Sequence, residues 1–139
     1  MIAAKELMNT QVVTIGKEED VYEAVRMMVL NNVTGLPVVA EDGTLVGIVT
    51  EKDVLPLLSE PAPVGRVADF MTAGVVCFDP DDCLSEITDA FRENHFRRVP
   101  IVQGGKLVGI ISRRDIIRYI GELKHQDEVL KDSILEILY

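Results

Sequence analysis

The sequence has few of the residues that disulfide-stabilised and metal-binding proteins need. Of its 139 residues, two are cysteines, Cys77 and Cys83, and two are histidines, His95 and His125. Two cysteines cannot form a disulfide framework, and neither has a Cys or His neighbour at the spacing of zinc ligands. The two histidines lie far apart in the sequence. We therefore expect neither a disulfide scaffold nor a metal site.

Long apolar runs are also lacking. No segment approaches the roughly 18 consecutive apolar residues of a membrane span, and residues 1–6 contain no apolar core long enough for a signal peptide. Hydrophobic residues make up 47% of the chain and charged residues 27%, proportions typical of a globular rather than a disordered protein. The sequence therefore predicts one compact cytoplasmic protein that does not associate with a membrane.

Basic residues are outnumbered: 14 Lys and Arg stand against 23 Asp and Glu, which gives a net charge of −9. An acidic surface repels phosphate backbones, so a nucleic-acid partner is disfavoured. Half of the basic residues nevertheless lie within residues 92–118, where seven basic residues oppose two acidic ones and give a net +5. Such a patch suits a small anionic ligand, although a solvated helix face with unmatched arginines explains it equally well.

What the sequence does contain is an internal repeat. Residues 8–58 align with residues 71–121 at an offset of 63, which becomes 62 after a deletion near residue 105. A repeat of this length predicts two copies of one α/β unit that pack around a pseudo-two-fold axis, because neither copy buries its apolar face alone. A cleft on that axis is lined by equivalent residues of both copies, and we expect the function to reside there.

Each copy is predicted to fold as β-α-β-β-α, from β-branched runs, helical periodicity and turn residues. Copy 1 comprises a strand at 11–15, a helix with Val21, Ala24, Val25 and Met28 on one face, strands at 35–39 and 45–49 around an Asp42-Gly43 turn, and a helix that begins near Asp53. Copy 2 comprises a strand at 75–78, a helix with Leu84, Ile87 and Phe91 on one face, strands at 97–102 and 107–111 around Gly104-Gly105, and a helix after Ser112.

These elements divide the chain into four parts. Copy 1 is placed at residues 1–58, a Pro-rich linker at 59–69, copy 2 at 70–121 and a C-terminal helical extension at 122–139. The extension is predicted to form a separate helix from Gln126, with an apolar side made of Val129, Leu130, Ile134, Ile137 and Leu138. Packing of this side onto its own domain is the favoured interpretation, and contact with another subunit is the alternative.

Two short motifs stand where a strand meets a helix. Thr50 precedes Asp53 by three residues, and Ser112 precedes Asp115 in the same way. This spacing is that of a capping box, in which the hydroxyl and the carboxylate satisfy free N–H groups of the first helical turn. The same geometry also suits a ligand, because helix N-termini attract phosphate and an Asp facing the cleft can accept both ribose hydroxyls. The occurrence of both motifs in one duplicated cleft favours a functional role.

The paired motifs resemble tandem CBS domains, the Bateman module. The resemblance covers residues 7–58 and 70–121 and rests on the Gly35–Val39 strand, the Leu45–Ile48 strand and the Thr/Ser-x-x-Asp that follows in each copy. It implies a binding module rather than an enzyme, with no required cofactor. In relatives, an adenosyl ligand such as AMP, ADP, ATP or S-adenosylmethionine lies in the cleft between the copies.

The resemblance also implies roles for individual residues. It assigns the ribose to Asp53 and Asp115, and a role in phosphate binding to the hydroxyls of Thr50 and Ser112. Residues expected to flank the base are Val13, Thr14, Leu36, Pro37 and Val38 in copy 1, and Val76, Cys77, Val99, Pro100 and Ile101 in copy 2.

Charge at the two sites is expected to differ. Relatives that bind phosphates often carry a basic residue just before the Pro-containing strand, and Arg97 and Arg98 match that pattern. The equivalent residues of copy 1, Thr34 and Gly35, carry no charge. We therefore expect two unequal sites.

Three classes of function are compared: a sensor, an interaction scaffold and an enzyme. The leading hypothesis is a non-enzymatic sensor that binds an adenine nucleotide and signals to a separate effector protein, as a homodimer. The alternatives are a dimeric interaction scaffold with vestigial sites, and a module specific for S-adenosylmethionine or NAD. An enzyme is disfavoured, because the sequence shows no nucleophile–His–carboxylate set, Walker loop or metal cluster.

Overall fold

The computed structural model describes the backbone of residues 2–138 and the side chains of residues 2–135. Its elements are a 3₁₀ helix at Ala4–Glu6, α1 (Val21–Asn31), β1 (Gly35–Val39), β2 (Leu45–Thr50), α2 (Glu51–Val54), a 3₁₀ helix at Leu55–Leu58, α3 (Val67–Phe70), α4 (Leu84–Glu93), β3 (Arg98–Gln103), β4 (Lys106–Ser112) and α5 (Arg113–Leu138). The mixed α/β class, the two copies and the C-terminal helix are confirmed.

Each copy is built around one antiparallel hairpin. β1 pairs with β2, and β3 pairs with β4 in the equivalent register, so that Gly35 lies beside Thr50 and Arg98 lies beside Ser112. The turns hold Gly43 and Gly105 at φ of +89° and +80°, a region that glycine adopts without strain. Both predicted hairpins are therefore present.

The first strand predicted in each copy is wrong in extent. Residues 11–15 and 75–78 form no continuous strand, and each segment makes a single parallel bridge, through Ile15 to Val38 and through Phe78 to Ile101. The physical reason is that β-branched residues favour a strand only where a neighbouring strand receives them. The bridge still places both segments beside their Pro-containing strands.

The two copies are joined by reciprocal backbone hydrogen bonds between their hairpin turns. The Leu45 N–H donates to the Gly105 carbonyl at 3.1 Å, and the Leu107 N–H donates to the Gly43 carbonyl at 3.0 Å. Equivalent donors thus bond equivalent acceptors across the pseudo-two-fold axis, as the repeat predicted.

Short helices are exchanged between the copies, which the sequence did not predict. The N-terminal helix Ala4–Glu6 packs on copy 2, where Ala4 is fully buried with Leu84, Ile87 and Phe91. The equivalent helix α3 packs on copy 1, where Val67 is fully buried with Ala24 and Leu36. The segment predicted as linker thus includes the start of α3, and each core is completed by a helix that belongs to the other half of the chain.

The C-terminal extension is the second half of one long helix, not a separate helix beginning at Gln126. Every described side chain from Ile120 to Leu135 is exposed, Leu130 for example to 59%. The prediction that this face packs onto its own domain is therefore wrong for the described residues, because α5 runs away from the body of the protein. The side chains of Ile137 and Leu138 and the whole of Tyr139 lie outside the described residues. No helix in the range 2–138 has the length and apolar character that a membrane span requires.

Candidate ligand site between the two copies

A cavity of about 660 Å³ opens between the two copies. Copy 1 contributes the end of β2 and the start of α2, and copy 2 contributes the segments before β3 and around residue 75. The lining residues are Ile48, Thr50, Glu51, Lys52, Leu55, Thr72, Gly74, Val75, Val76, His95, Phe96, Arg97 and Arg98. The cavity therefore combines an apolar wall with a cluster of charged side chains.

Both Thr/Ser-x-x-Asp motifs form helix caps. The Asp53 carboxylate accepts the Thr50 N–H at 2.8 Å and the Thr50 hydroxyl at 3.2 Å through the same oxygen, Oδ2. In copy 2 the Asp115 carboxylate accepts the Ser112 N–H at 2.8 Å, while the Ser112 hydroxyl accepts the Asp115 N–H at 3.2 Å. The capping interpretation is thus realised in both copies. The caps use Oδ2 of each aspartate, and Oδ1 of Asp115 lies 3.4 Å from the Arg118 guanidinium.

Arg97 and Glu51 form an ion pair that joins the two copies at the cavity. The Arg97 Nη1 lies 2.7 Å from the Glu51 Oε1, and both residues line the cavity. Within each copy an equivalent backbone hydrogen bond holds this segment: the Arg97 carbonyl accepts the Arg113 N–H at 2.9 Å, and the Thr34 carbonyl accepts the Glu51 N–H at 2.9 Å. The two copies thus make the same backbone contact, although the side chains at the equivalent positions differ in charge.

Arg98 reaches across the pseudo-two-fold axis. Its guanidinium donates a hydrogen bond to the Thr34 hydroxyl and lies over Gly35, where an added Cβ would approach the Arg98 Cζ to 2.7 Å. Burial lowers the pKa of the Arg98 guanidinium from its ordinary value; the carboxylate of Glu51 opposes this shift and the charge of Arg97 adds to it. Gly35 is the copy 1 equivalent of Arg98. Because Gly35 has no side chain, it leaves the space that the Arg98 guanidinium occupies.

The structure brings four of the predicted site residues together in the cavity: Thr50, Val76, Arg97 and Arg98. The side chains of Leu36, Pro37, Val38, Val99, Pro100 and Ile101 lie fully buried in the cores, so they could flank a base only through their backbone. Cys77 lines a separate cavity of about 260 Å³. Asp53, Asp115, Ser112, Val13 and Thr14 do not line the larger cavity.

Several cavity residues were missed by the sequence reasoning, among them Glu51, Lys52, His95 and Phe96. Residues adjacent to them in the sequence had been predicted as site residues. Glu51 and Lys52 could have been found from their position, because they lie within the Thr-x-x-Asp motif itself. Within the part of the chain that the structure describes, no group of three or more His, Cys, Asp or Glu side chains could hold a metal ion.

Comparison with known proteins places this geometry in a family. The family model described as CBS domain matches twice, at residues 4–60 and 67–122. The chain is 33% identical over 118 residues to the uncharacterized protein MJ1225 of Methanocaldococcus jannaschii. The aligned region covers 84% of this chain and 42% of that protein. The chain thus spans less than half the length of that relative, and 34% of an uncharacterized 33.4 kDa protein of Thermofilum pendens.

Two similar solved structures contain adenosyl ligands. CBSX2 in complex with AMP has a TM-score of 0.81 at 28% identity, covering 89% of this chain and 99% of that one. The CBS domain pair of MJ0100, in complex with 5'-methylthioadenosine and S-adenosyl-L-methionine, has a TM-score of 0.79 at 25% identity and covers 88% of this chain and 98% of that one.

Proposed function

The chain belongs to the CBS domain family, of which it carries two copies, and on that premise we propose that it is a regulatory module that binds an adenine nucleotide between them. The observation that carries this proposal is the cavity shared by both copies. Its volume of about 660 Å³ falls in the usual range of small-molecule sites, roughly 300–1,000 Å³. Ligand binding there bridges the copies and so favours one relative arrangement of them.

The lining of the cavity matches the parts of a nucleotide. Lys52, Arg97 and Arg98 supply cations for phosphate, and a guanidinium can bind two phosphate oxygens at once. Ile48, Leu55, Val75, Val76 and Phe96 supply apolar surface for the base. Thr50 also lines the cavity, and its hydroxyl donates to the carboxylate of Asp53, the residue proposed for the ribose. AMP in the similar structure of CBSX2 supports the same class of ligand.

S-adenosylmethionine is the second candidate, because the MJ0100 pair is described with it and with methylthioadenosine. Its adenosine moiety would make the same contacts with base and ribose groups. Its sulfonium is positive, however, and would lie near three cations opposed by one carboxylate, Glu51. Electrostatics therefore favours a phosphate-bearing ligand in this cavity.

The first experiment is a thermal-shift scan of nucleotide-stripped protein against AMP, ADP, ATP, S-adenosylmethionine, NAD and GTP. A ligand at 100 times its Kd stabilises the folded state by about 2.7 kcal/mol, which raises the Tm by roughly 5–10 °C for a chain of this size. We expect a rise with adenine nucleotides that weakens in Arg97→Ala, whose guanidinium lines the cavity. The ribose role proposed for the two aspartates predicts that the rise also disappears in the Asp53→Ala/Asp115→Ala variant, and a rise that persists there would contradict that role.

Each of these substitutions removes a helix cap and should lower the free energy of unfolding by about 1 kcal/mol. The matched control is Asp127→Ala/Asp132→Ala, which removes the same charge from the exposed half of α5 and should keep the ligand response. A folded protein that responds to none of the six compounds would instead indicate an interaction scaffold with vestigial sites.

We propose that the module passes its signal to a separate effector protein and acts as a homodimer. The support is the exposed apolar face of α5, which includes Ile120, Leu123, Leu130 and Ile134. These positions are spaced by three, seven and four residues, which places their side chains on one helix face. Apolar residues repeated in this way along an unpartnered helix are typical of a helix–helix interface.

A further inference from the structure

Glu51 is the one acidic residue among the described residues that line the larger cavity, and it faces the cations that would bind phosphate. We propose that Glu51 is a specificity-determining residue, whose carboxylate competes with ligand phosphate for Arg97 and so sets how strongly the site prefers phosphorylated over unphosphorylated adenosyl ligands. The proposal rests on the proposed function and assigns to this residue a role that opposes ligand binding.

The geometry of the ion pair permits such competition. The Glu51 carboxylate and the Arg97 guanidinium meet at 2.7 Å while their side chains stay 44% and 63% exposed. A pair this open to solvent is held weakly, so an incoming anion can reach the guanidinium and replace the carboxylate. A phosphate that binds Arg97 must either displace Glu51 or share the guanidinium with it.

The charge of Glu51 acts on more than one cation. It raises the pKa of Arg98 while the charge of Arg97 lowers it, so the field of the carboxylate extends to both arginines. Neutralising Glu51 leaves Lys52, Arg97 and Arg98 without an acidic neighbour in the cavity. An incoming phosphate would then meet a more positive potential, and the gain should grow with the charge of the ligand.

The pseudo-symmetry shows that the fold does not need a carboxylate at this position. Arg113 is the copy 2 equivalent of Glu51, and the two backbone N–H groups make the same hydrogen bond, to Arg97 and Thr34 respectively, each at 2.9 Å. The backbone role is shared although the side-chain charge is opposite. Glu51→Gln keeps that backbone bond and the size of the side chain, and should therefore fold normally.

The test is calorimetric titration of the full-length chain and of Glu51→Gln with AMP, ATP and uncharged adenosine. We expect Glu51→Gln to bind AMP about two- to fivefold more tightly, the range that an exposed ion pair accounts for. The gain should be larger for ATP, and the Kd for adenosine should stay within about twofold. In an Arg97→Ala background the same substitution should change the AMP affinity less, because the competition for Arg97 is gone.

Glu128→Gln is the matched control, since it removes an equal charge from the exposed part of α5 and should leave all three affinities unchanged. Unchanged or weaker AMP binding by Glu51→Gln would overturn the role of Glu51 while leaving the nucleotide site in place. An equal change for AMP and adenosine would also overturn it. Failure of the unaltered chain to bind any of the three ligands would overturn the proposed function as well.

Discussion

At the scale of single residues, the two copies share a backbone plan but differ in the side chains at the cleft. Gly35 and Arg98 are equivalent, and the second fills the space that the first leaves open. Thr34 and Arg97 are likewise equivalent, yet only Arg97 brings a charge to the cavity. The two sides of the pseudo-symmetric cleft therefore differ in charge, as expected from the sequence.

A glycine in β2 is required by close approach of the backbone. A Cβ on Gly47 would lie 2.8 Å from the Thr72 carbonyl oxygen and 2.8 Å from the Met71 sulfur. The Thr72 backbone is held by paired hydrogen bonds with Ile48, so it cannot move aside freely. We expect Gly47→Ala to lower the free energy of unfolding by about 1–3 kcal/mol, as measured by urea denaturation.

Gly35→Ala provides the comparison for this prediction. The three atoms nearest to a Cβ on Gly35 all belong to the guanidinium end of Arg98, which can move aside more easily than backbone because that side chain is long and flexible. We expect a smaller loss of stability than for Gly47→Ala. Equal losses in the two variants would show that the approach of the Thr72 backbone is not what restricts Gly47.

What the sequence could predict at this scale depended on distance along the chain. The caps formed by Asp53 and Asp115 join residues three apart, and a local rule suffices to find them. The ion pair between Glu51 and Arg97 joins residues 46 apart. The repeat shows which residues are equivalent, but it does not show which residues of the two copies meet, so Glu51 was missed.

At the scale of elements, the hairpins were predictable because their turns carry the information. Asp42-Gly43 and Gly104-Gly105 supply residues suited to positive φ, and short apolar runs on both sides of each turn supply the two strands. The strand length predicted at 11–15 and 75–78 was too great, since each segment pairs with a neighbouring strand at one residue only. The continuity of α5 was also missed: its interior Gly121 costs only about 1 kcal/mol and does not end the helix.

The exchanged helix α3 should contribute strongly to the stability of copy 1. Val67 is 0% exposed and packs among core residues of that copy. Removing its two methyl groups leaves a cavity in a core that is formed partly by distant sequence. We expect Val67→Ala to lower the free energy of unfolding by about 1.5–3 kcal/mol, as followed by circular dichroism during urea denaturation.

Val64→Ala is a suitable control for this element, because Val64 precedes α3 by three residues and is 88% exposed. Removal of the two methyl groups of Val64 should change the free energy of unfolding by less than about 0.5 kcal/mol. If Val67→Ala proved equally mild, α3 would be a surface attachment and not a part of the core of copy 1.

At the scale of the whole molecule, a compact body carries one projecting helix. The described side chains of α5 beyond Tyr119 are exposed, so they add little to the stability of the body. At protein concentrations too low for dimerisation, we expect a chain that ends at Gly121 to unfold within about 2 °C of the 139-residue chain. We also expect it to be monomeric in light scattering under conditions where the full-length chain is a dimer.

Two single substitutions in α5 test whether dimerisation depends on its exposed apolar side chains or on its overall charge. Leu130→Asp places a carboxylate among the exposed apolar side chains and should dissociate the dimer, whereas His125→Asp adds a carboxylate on the opposite side of α5 and should not. A truncated chain that still dimerises would place the interface on the body of the molecule and contradict this role for α5.

The exchange of the helices Ala4–Glu6 and Val67–Phe70 has a consequence for how the chain holds together. A protease that cut between Ser59 and Val64 would yield two fragments, each carrying the helix that completes the core of the other. The nicked protein would stay associated without a covalent link, as two interlocked pieces. Either fragment alone would expose the apolar groups that its missing helix covers, so neither half can be an autonomous folding unit.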